Sequence, residues 1–195
     1  MNEDRYEIRF SGSGGQGIIL AAIILAEAVG IYGEKYVCQT QSYGPEARGG
    51  TSKAEVIISS NPIDYPKAMK PDLLLAMNQV SCDTYFSNLK PKGLLLVDSK
   101  LVNQIPTSRV VAIPFIKISR RAAGRDLSAN MVALGAVGYL SQKSTTRNLE
   151  KALLARVPRG TEKMNLNALH AGIKAAQEID LSNLPKSVFN EEEEI

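Results

Sequence analysis

Two kinds of hydrophobic pattern alternate along the first half of the chain. Ile8 to Ser11 is a short strand-like run that ends in the glycine-rich segment Gly12 to Gly17, GSGGQG. Gly17 opens a strongly helical stretch, IILAAIILAEAVGIYG, which Gly30 and Gly33 bring to a stop. Tyr36 to Gln41 reads as a second strand, followed by the breaker-rich loop SYGPEARGG. In Lys53 to Ser59, Ala54, Val56 and Ile58 alternate with Lys53, Glu55, Ile57 and Ser59, the pattern of a half-buried strand, and Ser60-Asn61-Pro62 turns the chain after it. Two continuous apolar runs, DLLLAM from Asp72 to Met77 and LLLVD from Leu94 to Asp98, fit strands covered on both faces. A helix from Val80 to Leu89 lies between them, and Val110 to Pro114 forms a shorter strand. From Leu127 onward NMVALGAVGYL, TRNLEKALLARV and MNLNALHAGIKAAQEI repeat apolar residues three and four apart, with Pro158 separating the last two.

Strands alternating with helices through short turns predict a single three-layer α/β/α domain with a mostly parallel sheet and a helical C-terminal part. The strand at Lys53 follows its predecessor with no helix between, which predicts an antiparallel insertion and hence a mixed sheet. The domain is expected to span 1–183. The remainder, 184–195, is polar, carries the acidic run Glu191 to Glu194, and is expected to fray.

At 195 residues and 21.1 kDa, with 44% hydrophobic and 22% charged residues, the chain has the balance of one globular domain and not of a disordered protein. The formal charge is +3, and setting aside the acidic tail makes the body more basic. That suits an anionic ligand or an acidic partner but not a nucleic-acid binder, since there is no stacking platform. Cys38 and Cys82 are too few for an iron–sulfur cluster or a Cys-based zinc site, and free thiols fit a reducing compartment. Met1 to Arg9 lacks the apolar core of a signal peptide, and Ile18 to Ile31 carries Glu27 and is too short to span a bilayer. A cytoplasmic protein without membrane attachment is the expectation.

Two loops carry the candidate chemistry. Gly12, Gly14 and Gly17 form a G-x-G-x-x-G between strand and helix, with Gly15 and Gln16 inside it. Such a turn lets an anion approach the free N–H groups of a helix N-terminus. The dinucleotide reading lacks its acid, because Val37, Cys38, Gln39, Thr40 and Gln41 contain no carboxylate. The phosphate-loop reading lacks its Lys-Ser or Lys-Thr. A tight turn that binds nothing remains open. In the second loop Arg48 can grip a carboxylate or phosphate, Glu46 can accept a proton or orient Arg48, and Tyr43 can stack or donate. The alternative is an ordinary surface Glu–Arg pair. Elsewhere, Asn130 caps a loop or touches a ligand. Asp98 reads first as a helix cap, His170 as a helix-face residue, and Arg120, Arg121 and Arg125 as a solvated basic face that can also meet a phosphate.

GSGGQG followed some thirty residues later by YGPEARGG, then by PDLLLAMNQ and NMVALGAVG, resembles the gamma subunit of the 2-oxoacid:ferredoxin (acceptor) oxidoreductases over roughly residues 6 to 175. It is similar also to the third domain of single-chain pyruvate:ferredoxin oxidoreductases. The resemblance implies one subunit of a larger enzyme, which decarboxylates a 2-oxoacid on thiamine diphosphate, passes electrons through iron–sulfur clusters to ferredoxin and hands the acyl group to coenzyme A. Alpha, beta and delta (ferredoxin-like) subunits are the implied partners. Thiamine diphosphate and the clusters are expected in those partners, since no Gly-Asp-Gly…Asn signature occurs here. By resemblance, Gly12, Gly14, Gly15, Gln16, Gly17, Tyr43, Glu46 and Arg48 belong to the face adjoining the active site or the coenzyme A approach; Asn130 stands with them as a binding candidate, and no residue is assigned a catalytic role. The loop sequences tilt the substrate toward 2-oxoglutarate or a branched-chain 2-oxoacid. A free-standing NAD(P)-binding reductase and a purely scaffolding subunit remain as alternatives.

Overall fold

The computed structural model describes residues 4–42 and 51–189. In chain order the strands and helices are β1 (Tyr6–Gly12), α1 (Ile18–Gly30), β2 (Tyr36–Ser42), β3 (Ser52–Ser59), β4 (Leu73–Ala76), α2 (Gln79–Tyr85), β5 (Leu94–Asp98), β6 (Val110–Ile113), α3 (Phe115–Ala123), α4 (Ala129–Ser141), α5 (Thr146–Arg156) and α6 (Glu162–Gln177). They build one six-stranded sheet in the order β2-β3-β1-β4-β5-β6. β1, β4, β5 and β6 run parallel, while β3 lies antiparallel to both of its neighbours, β1 and β2. The expected mixed sheet is present, and β3 has inserted itself between the first two strands of the chain.

Alternation along the strands sorts side chains between two unequal layers. Ile8, Phe10, Ala54, Val56, Leu73 and Leu75 join the large core under α1 and α3–α6. Leu74, Ala76, Leu95 and Val97 join a smaller cluster with Cys82 of α2, Leu89, Val102 and Val188. The tightest helix contact in the large core is between α4 and α6. A Cβ on Gly172 would strike the Val132 carbonyl, and one on Gly135 the Leu169 carbonyl, so two glycines let the backbones touch. Asn78 caps α2 by accepting from Ser81 N at 2.8 Å, and Thr145 caps α5 by accepting from Asn148 N at 3.2 Å.

Three expectations change. The β3 strand is buried on both faces rather than half-buried: Glu55 and Ser59 are closed off because the chain after Ser59 folds back over them, placing Ala68 N within 3.4 Å of Glu55 Oε2. The basic stretch ahead of Leu127 is a helix, α3, entered at Pro114 and stopped by Gly124 at φ 72°. Packing also runs past residue 184. Val188 is buried, its N–H donates to Pro91 O at 2.8 Å, and Phe189 meets Phe86 with ring centroids 5.7 Å apart. The acidic run Glu191 to Glu194 lies outside the described residues.

Candidate functional site

The carboxyl ends of parallel strands are where α/β sheets bind ligands, at the point where successive connections leave in opposite directions. Here that point lies between β1 and β4. The chain leaves β1 into α1 on the large-core face and leaves β4 into α2 on the other. The glycine loop sits over it, and the loop is closed by its own side chains. Gln16 Oε1 accepts from Ser13 N at 2.6 Å, and Gln16 Nε2 reaches Met77 O at 3.5 Å. Asn78 Nδ2 donates to Ser13 Oγ at 2.6 Å, which ties the end of β4 to the loop. Gln16 thus satisfies the Ser13 N–H that an anion would otherwise seek.

Each glycine has a distinct reason. Gly15 and Gly17 hold φ of 84° and 71°, where a side chain is strained. A Cβ on Gly12 would lie 2.5 Å from Gln16 Oε1 and 3.1 Å from Met77 Cβ. At Gly17 the vacant Cβ position is filled by Asn130, whose Nδ2 donates to Gly17 O at 3.1 Å. Asn130 is therefore the tie that docks α4 on the start of α1. Gly14 and Gly15 both face open space, and of the two only Gly14 lacks a positive φ. The loop forms a ridge with a cleft on each side. One, about 390 Å³, runs from Ser13 and Gly14 to Ile18, Ile19 and Ser52. The other, about 170 Å³, lies among Gly15, Gln16, Met77, Ile116, Asp126 and Leu127. Leu127 is 72% exposed and stands as an apolar lip on the second cleft.

Tyr43, Glu46 and Arg48 lie outside the described residues. The ends of their loop do not. Ser52 pairs with Gly12 and Ser42 with Lys53, so the chain leaves β2 and re-enters β3 at the same sheet end as the glycine loop. The dinucleotide arrangement is absent for a topological reason as well as for want of an acid. With β3 inserted, β2 stands two strand spacings from β1, roughly 10 Å, instead of one.

The remaining candidates resolve into structural roles. Asp98 is fully buried, accepting from Lys100 N at 2.8 Å and from Ile116 N at 3.3 Å, which anchors the turn after β5 and the start of α3. Arg120 pairs with Asp126 at the mouth of the small cleft. That hydrogen bond holds the Asp126 carboxyl below its ordinary value and raises the guanidinium. Arg121 and Arg125 are exposed. His170 Nε2 lies 2.6 Å from Glu150 Oε1, joining α6 to α5 on the surface.

Sequence reasoning missed a buried polar network behind the loop. Arg9 Nε donates to Glu55 Oε1 at 2.9 Å, Nη1 to Asn88 Oδ1 at 2.8 Å and Nη2 to Ala68 O at 2.8 Å, with Cζ 5.1 Å from the centre of the Tyr85 ring. Ser11 Oγ donates to Ser81 Oγ at 3.0 Å beside it. The available signal was the period-two charge of β1, Glu7 and Arg9, facing Glu55 of β3. Toward β2 this network opens into a cleft of about 340 Å³ between Thr40, Ser42, Lys53 and Lys67. Among the described residues no group of three or more His, Cys, Asp or Glu is placed to hold a metal ion, and no helix is long and apolar enough to cross a membrane.

Comparison with known proteins places the domain. The 2-oxoglutarate synthase subunit KorC of Methanocaldococcus jannaschii is 47% identical over 179 residues, covering 90% of this chain and 96% of that one. The ketoisovalerate oxidoreductase subunit VorA of Methanothermobacter thermautotrophicus is 32% identical over 88% of this chain but only 36% of its own length, so there the same domain is part of a longer polypeptide. The crystal structure of a keto/oxoacid ferredoxin oxidoreductase gamma subunit from Geobacter sulfurreducens superimposes with a TM-score of 0.80 at 46% identity, covering 89% of this chain and 99% of that one. With residues 7–175 matching the model of the pyruvate ferredoxin/flavodoxin oxidoreductase family, the chain belongs to that family.

Proposed function

We propose that this chain is the gamma subunit of a 2-oxoglutarate:ferredoxin oxidoreductase, a member of an assembly and not an enzyme by itself. The observation that carries the reading is the match to a 2-oxoglutarate synthase subunit over nearly the full length of both chains, whereas the ketoisovalerate relative shares only a third of itself. In the overall reaction the 2-oxoacid loses carbon dioxide, its acyl group forms a thioester with coenzyme A, and the electron pair passes to ferredoxin. Thiamine diphosphate supplies the decarboxylation chemistry and iron–sulfur clusters the electron path. Neither fits this chain. Its two cysteines, one of them fully buried, cannot supply the four thiolates of a cluster. Both cofactors are assigned to alpha, beta and delta partners.

The role of this subunit is then to present a shaped, rigid edge. The ridge of Gly12 to Gly17, latched by Gln16 and docked by Asn130, meets the ends of the Tyr43–Arg48 loop at one end of the sheet. Gly14 offers open backbone there, and Arg48 supplies the cation for an anionic group of coenzyme A or of a partner. The test is the assembled complex under anaerobic conditions, assayed for coenzyme A-dependent dye reduction. 2-Oxoglutarate is expected to exceed 3-methyl-2-oxobutanoate and pyruvate by at least about tenfold in kcat/KM, and preference for the branched acid would overturn the substrate assignment. Arg48→Ala is expected to raise the KM for coenzyme A about tenfold with assembly intact. Loss of assembly instead would make the loops a scaffold.

A further inference from the structure

The two edges of the sheet are treated very differently. β6 is four residues long, ends directly at Pro114 and is preceded by Arg109, the features that blunt an edge against pairing. β2, at the other edge, is seven residues long, Tyr-Val-Cys-Gln-Thr-Gln-Ser, with no proline and no charge. Among the described residues nothing pairs with its outer side. On this strand the Gln39 amide donates to Thr40 O at 3.2 Å.

Each face of this edge opens into a cleft, and the two clefts differ in chemistry. On the α1 side a groove of about 540 Å³ runs between α1 and β2, lined by Ile23, Ala26, Ile31, Tyr36 and Val37. Ile31 is 67% exposed and Tyr36 52%. The one carboxylate of this groove, Glu27, is held by Arg156. On the opposite face lies the cleft of Lys53 and Lys67. The one acid among the described residues that line it, Glu55, is already paired with Arg9 at 2.8 Å, with Lys53 Nζ at 3.3 Å. No carboxylate among the described residues lies within ion-pair reach of Lys67. One face is mainly apolar, with Lys35 and Gln39 also in its lining, and the other is positively charged, on either side of an open strand.

We infer that β2 is completed by an extended segment of a partner subunit that adds as a further strand, with apolar residues entering the α1 groove and acidic residues, at alternate positions, meeting Lys53 and Lys67. Successive side chains of a strand point to opposite faces, so a single added strand reads both clefts at once. Charge complementarity selects an acidic partner over a second copy of β2, which carries no acid. This rests on the reading of the chain as a subunit, and the experiment separates the two.

The chain is co-expressed with its partners. Hydrogen exchange over Tyr36–Ser42 is compared in the free chain and in the complex, and carbodiimide joins lysines to neighbouring carboxylates. The expected result is exchange slowed at least about tenfold on assembly, with Lys53 or Lys67 joined to Asp or Glu two positions apart in one partner segment. Lys67→Glu, an exposed change that leaves the fold intact, is expected to weaken assembly about tenfold and abolish that cross-link. A complex whose β2 amides exchange as fast as in the free chain overturns this inference and leaves the subunit reading standing. Cross-links from Lys67 to another copy of this chain also overturn it. A chain that assembles with nothing overturns both.

Discussion

Arg9 and Phe10 are consecutive residues of β1, both closed off from water, yet they face opposite sides of the sheet and are held by opposite physics. Phe10 lies in the large core under five helices, where non-directional burial does the stabilising. Arg9 lies in a cage of named partners: Glu55, Asn88, the Ala68 carbonyl and the Tyr85 ring. Among the described residues every buried side-chain nitrogen and oxygen has a hydrogen-bond partner, so this polar layer is complete. The apolar face holds the fold up. The polar face sets where the 60–70 segment, β3 and the loop ends must lie.

The two faces differ less in what a single mutation costs than in whether a second one can repair it. Phe10→Ala opens a cavity and is expected to cost about 3–5 kcal/mol. Arg9→Met is expected to cost a similar amount, about 3–5 kcal/mol, because it leaves the Glu55 carboxylate buried without its main cation. The two losses differ in how they are repaired. Adding Glu55→Leu to Arg9→Met removes the stranded charge and should restore stability to within about 2 kcal/mol of the parent, the remaining loss coming from the Ala68 N–H and C=O and the Asn88 side chain, which lose their partners. Denaturant midpoints of the single and double variants decide it. If the double variant is no better than Arg9→Met, the polar layer is acting as packing and the contrast fails.

A smaller effect tests the loop that borders this layer. Gln16 is the internal acceptor for Ser13 N–H, but the site is open enough for water to replace it. Gln16→Ala is expected to cost about 0.5–1.5 kcal/mol and to speed exchange of the Ser13 amide, while Gln16→Glu keeps the acceptor and the protection. Equal exchange in the two variants would show that backbone geometry, not Gln16, closes the loop.

How much of this was legible beforehand follows the range of the interactions. DLLLAM and LLLVD announced strands buried on both faces because four consecutive apolar residues leave no other solution, and β4 sends Leu73 and Leu75 one way and Leu74 and Ala76 the other. β3 misled for the same reason in reverse. Its polar positions imitate a solvent face, and only the segment that carries Ala68, returning from beyond the strand, seals them. α3 was hidden because its arginines mask a short apolar side, of which Phe115 is the buried anchor. The strand order could not be read at all, since placing β3 between β1 and β2 is a choice among non-local pairings. At the site, the glycine spacing was plain, but Gln16 turning inward and Asn130 occupying the Gly17 gap depend on residues 61 and 113 positions away.

The two cysteines sharpen the comparison between an open edge and a sealed layer. Cys38 stands on β2, partly exposed, while Cys82 of α2 is fully buried in the smaller cluster beyond the polar layer. Burial first, and Asp83 beside it second, push the Cys82 thiol up to about 11. In the folded chain at pH 8, a thiol reagent is expected to label Cys38 rapidly and Cys82 only through opening, and Arg9→Met should speed the second phase. The pH dependence has a definite sign. Because the folded value lies above the ordinary 9.0, the contribution of Cys82 to stability is intact below pH 9 and is lost as the pH climbs through about 11, where the unfolded chain ionises first. Tyr6, whose phenol burial also raises, adds a loss at still higher pH. Denaturant midpoints between pH 8 and 10.5 should therefore fall for the parent and fall less steeply for Cys82→Ala. Identical slopes would place Cys82 in contact with solvent and the second layer in an open state. In the assembled complex Cys38 should slow as well if β2 is covered, leaving both thiols protected by different means: one by a partner's strand, the other by this chain's own fold.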